Sequence, residues 1–375
     1  SALGVIESDY VENVSYKDLI YGALKGMLSS LDTHSQFLDP ESYNDLKVET
    51  EGKFGGLGIE IAIKDGLLTV ITPIEDTPAW KAGIKPGDRI VKINGELTRN
   101  ITLTEAVKKL RGKPGTEVNI TILRESENKI LDFKLTRHVI ELQDIKTARI
   151  LEDGIGYIRI TEFRQNTFEQ LEERLEKLKG AGMQALILDL RNNPGGLLDV
   201  AVKVAGKFIE KGKLVVSTRG KKENQNIGFV SKESQPLLDI PMVVLVNQGS
   251  ASGSEIVAAC LQDYKRAIIL GEKTFGKGSV QTVFPLGDGS ALRLTTSKYL
   301  TPKGRIIHNE GVVPDIVVEG KKLASESLKK PQDIFEKLEE KTPSLEENKD
   351  YREDYQLMRS LDLLKAILIY KQKGI

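Results

Sequence analysis

The feature that most constrains the fold is a series of short, mostly apolar runs, each followed by a loop. A helical pattern carrying Leu171, Leu175 and Leu178, with Thr167 as its predicted cap, separates the first run from the second. Strands buried on both faces give such runs, and strands that alternate with helices form a mainly parallel sheet covered by helices. From about residue 140 the sequence therefore predicts an α/β core. The runs occupy residues 155–160, 185–190, 242–246 and 267–270.

Composition limits the classes of function. The 375-residue chain exceeds the ~100–200 residues of one compact domain, so several folded units are expected. Its 54 Lys and Arg balance 54 Asp and Glu, and a neutral chain argues against a nucleic-acid partner. One Cys and three His favour neither a disulfide nor a zinc site. No apolar run approaches the ~20 residues of a membrane helix, although the start at Ser1, without Met, leaves room for an upstream signal or anchor.

A β-rich unit precedes the core, over about residues 52–136. Residues 58–63 alternate in polarity, residues 64–66 read Lys-Asp-Gly and favour a tight turn, and residues 67–71 return as the hairpin partner. A helical pattern over 103–111 and a strand pattern over 118–123 complete this compact unit.

Both ends of the chain favour helices. Residues 15–31 carry leucines at helical spacing, and the charged C-terminal stretch carries an apolar stripe of Leu357, Leu361, Leu364 and Leu368. The predicted regions are an N-terminal helical region at 1–50, the β-rich domain at 51–136, the α/β core at 137–322 and a C-terminal helical region at 323–375.

A serine stands where a predicted buried strand meets a helix. The strand at 242–246 continues into Asn-Gln-Gly-Ser-Ala-Ser-Gly-Ser-Glu, and the helix begins near Ser252. Unpaired N–H groups and the helix dipole at such a corner favour the oxyanion of an attacked carbonyl, which suits Ser252 as a nucleophile. Ser252 and Glu255 also form a capping box, so a purely structural N-cap remains the alternative.

A lysine between two glycines follows the strand at 267–270. Lys277 can act as a general base only if desolvation or a nearby cation lowers its pKa from about 10.4 towards ~7–8. An exposed lysine on a flexible turn is the alternative. The stretch from Gly271 to Lys277 also matches a phosphate-binding loop, but Gly278 stands where that motif requires Ser or Thr, which disfavours a nucleotide site.

Two further features bear on the chemistry. The candidates for a Ser-His-Asp triad are His34, His138 and His308, and none lies in a motif that marks it as a base, so the triad is disfavoured.

The loop at 189–196 follows a predicted strand and ends with two glycines, whose backbone N–H groups can approach a ligand closely. That loop is either a second oxyanion donor or a plain turn.

These segments together resemble one protein family. Residues 250–256 (SASGSEI), 274–281 (TFGKGSVQ), 301–304 (TPKG) and 311–315 (GVVPD) are similar to the carboxyl-terminal processing proteases, as are residues 31–40 and 189–196. The resemblance spans nearly the whole chain, and the unit at 52–136 resembles a PDZ domain. It implies a ClpP/crotonase-like core of mixed sheet and helix with an inserted PDZ domain.

The resemblance implies a role for each site residue. Ser252 matches the nucleophile, Lys277 its general base, and Gln281 the residue that orients the lysine. Gly196 and Gly253 match the two backbone donors of the oxyanion hole, although many relatives have Ala at position 253. No metal or organic cofactor is implied.

The PDZ-like unit contains a candidate peptide site. Gly56, Leu57, Gly58 and Ile59 resemble the loop whose N–H groups hold a peptide's terminal carboxylate while the peptide adds as a strand. A glycine cluster at a β-bulge is the structural alternative. Arg111 matches a regulatory position that can link peptide binding to active-site assembly, and a surface cation at a helix end remains equally open.

The combined interpretation is a serine endopeptidase with a Ser-Lys dyad, whose PDZ domain recognises the free C-termini of protein substrates. The resemblance further implies an extracytoplasmic location and a homodimer formed through terminal helices, for which the leucine stripe is the local support. A non-catalytic PDZ scaffold on a degenerate protease fold is the alternative. An acyl-CoA-handling enzyme is a third possibility, disfavoured because nothing suggests a site for the CoA phosphates.

Overall fold

A computed structural model describes residues 2–320 and 351–372, and the chain divides into two compact units. The first unit contains residues 1–46 and 144–375, and the second contains residues 47–143. Helices and sheets occur in both units, which confirms the predicted α/β class. Of the predicted C-terminal helical region, residues 323–350 and 373–375 lie outside the described residues.

A six-stranded sheet forms the centre of the first unit. Its first two strands pair antiparallel, and all the following pairs are parallel. Two of its strands are buried at every residue, which explains why their sequences are apolar except at Asp189. The loops after parallel strands meet at one edge, where α/β proteins commonly place their sites. In spatial order the strands are Thr147–Ile150, Ile155–Arg159, Ala185–Asp189, Met242–Val246, Ile268–Gly271 and Ile316–Val317.

Helices cover both faces of this sheet. Three helices pack on one face through side chains such as Leu171, Val204 and Ile256, and the C-terminal helix packs on the other. The helix predicted to be capped by Thr167 instead has Asn166 as its N-cap, and Thr167 is its first residue. The helices of the first unit are Ala2–Asp9, Tyr16–Ser29, Thr167–Gly180, Leu198–Gly206, Gly253–Asp263 and Tyr355–Gln372. Short 3₁₀ segments lie at Glu223–Gln225 and Tyr351–Glu353.

The leucine stripe packs inside the chain. Leu357, Leu361 and Leu364 are buried in one cluster with Ile187 and Leu245 of the central sheet, and Leu368 is partly buried against that cluster. An amphipathic helix needs one apolar partner surface, and here the chain's own sheet provides it. The stripe therefore no longer supports a homodimer.

A second, antiparallel sheet of five strands builds the surroundings of the predicted lysine. Its longest strand, Ala291–Leu300, pairs with three others. The fifth strand, Gly228–Val230, pairs with one of those three, Leu214–Gly220. Through this sheet the N-terminal segment joins the first unit, because Gln36–Leu38 pairs with the longest strand and the backbone N–H of Thr295 donates to the Ser35 hydroxyl at 3.1 Å. The partners of the longest strand are Gln36–Leu38, Leu214–Gly220 and Ser279–Pro285, and Gly228–Val230 extends the sheet.

The second unit has a core of its own, built on an antiparallel sheet. Apolar side chains such as Leu68, Ile90 and Ile120 fill it, and the predicted hairpin and helix are both present. The sheet strands are Ile59–Lys64, Leu67–Pro73, Arg89–Ile93, Glu96–Leu97, Glu117–Arg124 and Lys129–Thr136. Lys53–Gly56 pairs separately with His138–Glu141. Helical segments lie at Pro78–Lys81, Leu103–Leu110 and Glu125–Glu127, and the helix Pro40–Glu51 spans the boundary between the units.

Candidate active site

Ser252 occupies a strained corner between the strand Met242–Val246 and the helix Gly253–Asp263. Its φ of 52° and ψ of −110° lie in a region that non-glycine residues rarely adopt. The residue is only 8% exposed, and its carbonyl accepts the first hydrogen bond of the helix, from Ile256 N at 3.0 Å. Such strain persists only where the surroundings over-determine it, and it is typical of functional residues.

A tyrosine that the sequence does not single out lies near this serine. Tyr299 is buried on the long strand of the second sheet. Burial raises the pKa of Tyr299 to about 12, and the neighbouring Ser252 side chain acts in the opposite direction. Tyr299 therefore stays protonated at neutral pH and lies near the predicted nucleophile.

One buried carboxylate joins the serine segment to the lysine segment. Glu255 Oε2 accepts hydrogen bonds from the backbone N–H groups of Ser252 and Lys277, each at 2.8 Å. Glu255 Oε1 accepts from the Thr274 hydroxyl at 2.5 Å and from Gly276 N at 2.7 Å. Burial raises the pKa of Glu255, and these four donors act against that rise. The sequence predicts Glu255 only as a capping-box partner, but its carboxylate binds the backbone of both segments, the one that carries Ser252 and the one that carries Lys277.

Lys277 has the electrostatic surroundings that a general base requires. Burial lowers the pKa of Lys277, the nearby Arg293 cation lowers it further, and the Glu255 carboxylate opposes the change. Within residues 2–320 and 351–372, the Lys277 amine forms no ion pair and no hydrogen bond, including with Ser252 Oγ. The lone pair of the half-buried amine, when neutral, is therefore free to accept a proton.

The Arg293 cation provides a test of this electrostatic account. We expect Arg293→Gln to raise the pKa of Lys277, because a like charge is removed. A lysine acts as a general base only as the neutral amine, so with Lys277 in that role the ascending limb of kcat/KM against pH should move to higher pH and the rate at pH 7 should fall. Arg293→Lys keeps the charge and should leave the midpoint near that of the wild type. An unchanged midpoint in Arg293→Gln would refute the role of this cation.

The glycine loop after the strand Ala185–Asp189 lies directly against the nucleophile. A Cβ added at Gly195 would lie 2.8 Å from Ser252 Cβ and 2.9 Å from Gly253 N. Gly196 has a φ of 137°, and a Cβ there would lie 2.2 Å from the Phe163 carbonyl oxygen. Only glycine fits this close approach of the two backbones.

Hydrogen bonds fix the same loop to the start of the nucleophile helix. The Asn193 carbonyl accepts from Ala251 N at 3.0 Å and from the Ser254 hydroxyl at 2.9 Å. Among the described residues, no hydrogen bond uses the backbone N–H of Gly196 or Gly253. Both predicted oxyanion donors are thus available to a ligand.

Gln281, His34 and His308 lie in the first unit, and among the described residues none of them forms a hydrogen bond with Ser252 or Lys277. The Gln281 amide donates to the hydroxyls of Ser279 at 2.9 Å and Thr295 at 3.4 Å, so its contact with Lys277 stays a prediction. Burial lowers the pKa of His34, and the Lys277 and His308 charges act in the same direction. Across the described ranges, neither His34 nor His308 forms a hydrogen bond with Ser252.

The predicted peptide loop of the second unit lines a small groove. The groove contains the backbone of residues 56–59, the side chains of Val107 and Leu110, and Arg111 at the end of the helix Leu103–Leu110. Within the described part of the chain, the N–H groups of Leu57 and Gly58 form no hydrogen bond. The Arg111 guanidinium lies 4.2 Å from the centre of the Phe54 ring. Free N–H groups and a cation in one apolar groove suit a peptide carboxylate.

The described residues contain neither a metal-ligand cluster nor a membrane-spanning helix. Residues 2–320 and 351–372 contain no group of three or more His, Cys, Asp or Glu side chains that could hold a metal ion. None of the helices described has the length and hydropathy needed to cross a membrane.

Comparison with known proteins gives consistent matches. Peptidase family S41 matches residues 154–318, and the PDZ domain family matches residues 69–124. A carboxy-terminal-processing protease of Bartonella bacilliformis is 46% identical over 318 residues, which are 84% of this chain and 73% of that protein. A Staphylococcus aureus protein described as a CtpA-like serine protease is 39% identical over 322 residues, or 86% of this chain and 64% of that protein.

Solved structures agree with these sequence matches. The photosystem II D1 C-terminal processing protease is 31% identical with a TM-score of 0.50, covering 83% of this chain and 84% of its own. A Bacteroides fragilis structure described as an S41 protease has a TM-score of 0.53 and covers 97% of both chains. At 17% identity, the second comparison supports the fold alone.

Proposed function

The chain belongs to the S41 peptidase family, with the carboxy-terminal-processing proteases, and on that premise we propose a serine endopeptidase that uses Ser252 and Lys277 as its dyad. The observation that carries the proposal is the shared Glu255 carboxylate, which bonds to the backbone N–H of both residues. The lowered pKa of Lys277 is the second support, since only a neutral amine can accept the serine proton.

The proposed reaction proceeds through an acyl-enzyme. Ser252 Oγ attacks the carbonyl carbon of the scissile peptide bond while Lys277 Nζ takes the hydroxyl proton. The backbone N–H groups of Gly196 and Gly253 hold the oxyanion, and Lys277 then returns the proton to the leaving amine. Water attacks the ester in the same manner and regenerates Ser252. In this mechanism Gln281 orients Lys277 through its side-chain carbonyl oxygen.

Degradation of an unfolded protein tests the peptidase activity. Purified protein incubated with casein should release fragments over time, and Ser252→Ala should release none. If the wild type releases no fragments although it still binds peptides, the non-catalytic PDZ scaffold becomes the better description.

Recognition of free C-termini is proposed for the second unit, through the N–H groups of residues 56–59. We expect a peptide with a free terminal carboxylate to bind at least about tenfold more tightly than its C-terminally amidated form, because hydrogen bonds to a charged group contribute roughly 1.5–3 kcal/mol. Fluorescence anisotropy with the two labelled peptides measures the ratio. Equal affinities would exclude this carboxylate site.

We further propose a role for Arg111, the domain boundaries, a location and an oligomeric state. Arg111 would couple peptide binding to activity, and the domain boundaries would be 1–50, 51–136, 137–322 and 323–375. An extracytoplasmic location follows from the family resemblance. A homodimer through the N-terminal helices is supported by their exposed apolar side chains, which include Val5, Ile6 and Ile20.

A further inference from the structure

A buried network of charges lies at the start of the glycine loop at residues 189–196. The proposed mechanism does not use this network. Asp189 ends a central strand and is fully buried. One of its oxygens, Oδ2, accepts hydrogen bonds from the Tyr157 hydroxyl at 2.8 Å and from Arg191 Nη2 at 2.7 Å. The other, Oδ1, accepts from the backbone N–H of Arg191 at 3.0 Å. Arg191 is therefore fixed to the strand end that begins the loop.

The same guanidinium reaches the C-terminal helix. Arg191 Nη1 and Nη2 donate to the two carboxylate oxygens of Asp354 at 2.9 and 2.6 Å, and Nη1 also donates to Gln356 Oε1 at 3.0 Å. Gln356 in turn donates to the Val318 carbonyl at 2.7 Å. Bidentate pairs of this kind fix orientation as well as distance. The Arg191 side chain is 13% exposed and that of Asp354 is 33% exposed, so solvent screens the pair only partly.

Asp354 also begins the C-terminal helix. Its Oδ1 accepts from Leu357 N at 3.1 Å, in the manner of an N-cap. Burial would raise the pKa of Asp354, but the bonds and charge of Arg191 lower it below its ordinary value, so the carboxylate is ionised at neutral pH. Docking of this helix on the sheet therefore places a fixed negative charge beside Arg191.

From Arg191 the chain leads directly to the reacting groups. Asn192 N donates to Asn247 Oδ1 at 2.9 Å, Gly195 N donates to Asn193 Oδ1 at 2.9 Å, and Gly196 carries the proposed oxyanion donor. The loop is thus attached to the C-terminal helix through Arg191, and to the nucleophile segment through Asn192 and Asn193.

We propose that Asp354 is a positioning residue, and that its pairing with Arg191 holds the loop at residues 191–196 where Gly196 can donate to the oxyanion. The proposal rests on the proposed peptidase function and assigns the C-terminal helix a part in catalysis. The helix acts through Arg191 and touches no reacting atom.

The test compares Asp354→Asn with Asp362→Asn, an exposed aspartate of the same helix. For a fluorogenic peptide we expect Asp354→Asn to lower kcat about ten- to a hundredfold with KM within about twofold, because a displacement of ~1 Å costs up to ~10²-fold and binding does not use the oxyanion donor. Asp362→Asn should match the wild type. Asp354→Glu, which keeps the charge, should recover part of the rate.

A second measurement does not depend on activity. Backbone hydrogen exchange of Gly195 and Leu197, whose N–H groups are bonded to Asn193 Oδ1 and the Phe163 carbonyl, should speed up in Asp354→Asn and not in Asp362→Asn. Exchange in the helix Thr167–Gly180 reports whether each variant is folded. An inactive wild type would overturn the peptidase proposal, while exchange would still decide whether Asp354 holds the loop. Unchanged exchange in this loop, or a wild-type kcat, in folded Asp354→Asn would overturn the inference.

Discussion

Replacing either member of the dyad is expected to abolish peptide cleavage. Ser252→Ala and Lys277→Ala should each lower kcat by roughly 10⁴-fold or more, because one removes the nucleophile and the other the group that takes its proton. The double variant should be no worse than the single ones, since residues that act as a unit give non-additive losses. Rates of fragment release from a fluorogenic peptide measure all three effects.

Two controls separate the base from a mere positive charge. Lys277→Arg keeps the charge but cannot become neutral in a protein, so it should be as inactive as Lys277→Ala. Lys273→Ala removes an exposed lysine four residues earlier and should keep wild-type activity. Substantial cleavage by Lys277→Arg at neutral pH would show that the lysine acts through its charge, and the dyad would have to be abandoned.

Substitution of Glu255 should have the second largest effect. Glu255→Ala leaves three backbone N–H groups and the Thr274 hydroxyl without their acceptor, and each unsatisfied buried group costs about 1–3 kcal/mol. We expect a lower Tm, and a fall in kcat of roughly 10²-fold or more in the folded fraction, because Ser252 and Lys277 lose their common attachment.

Glu255→Gln is the sharper variant, because it keeps the size of the side chain. Its amide nitrogen replaces an oxygen that accepts two hydrogen bonds, so two donors lose their partner and kcat should still fall. Glu310→Ala, at an exposed glutamate, should change neither Tm nor kcat. A folded Glu255→Gln protein with wild-type kcat would show that the carboxylate serves stability alone.

Much of the fold follows from local pattern. The runs at residues 185–190 and 242–246 predict buried strands, because parallel strands covered on both faces leave no polar alternation, and both strands are present. The leucine stripe of the C-terminal helix packs on the chain's own sheet, a partner that the sequence does not predict. Its spacing shows that one helix face is buried, but spacing carries no information about the surface that covers it.

The site is less accessible from sequence, since its key links join distant segments. Glu255 meets Lys277 across 22 positions, and Asp354 meets Arg191 across 163. A capping box explains Glu255 completely at the local level, so nothing in the sequence prompts a search for further donors. Tyr299 lies on an ordinary strand, and only the tertiary fold brings its side chain near Ser252.

Titration of the Lys277 amine shows whether it can accept the Ser252 proton. Selective ¹³C labelling of lysine lets the ε-carbon of Lys277 be followed by NMR as pH is raised, with the signal assigned by its absence in Lys277→Arg. We expect a midpoint clearly below the value of about 10.4 for an exposed lysine, so that a usable fraction of the amine is neutral at working pH. A midpoint at or above that value in the folded enzyme would contradict proton transfer from Ser252 to Lys277.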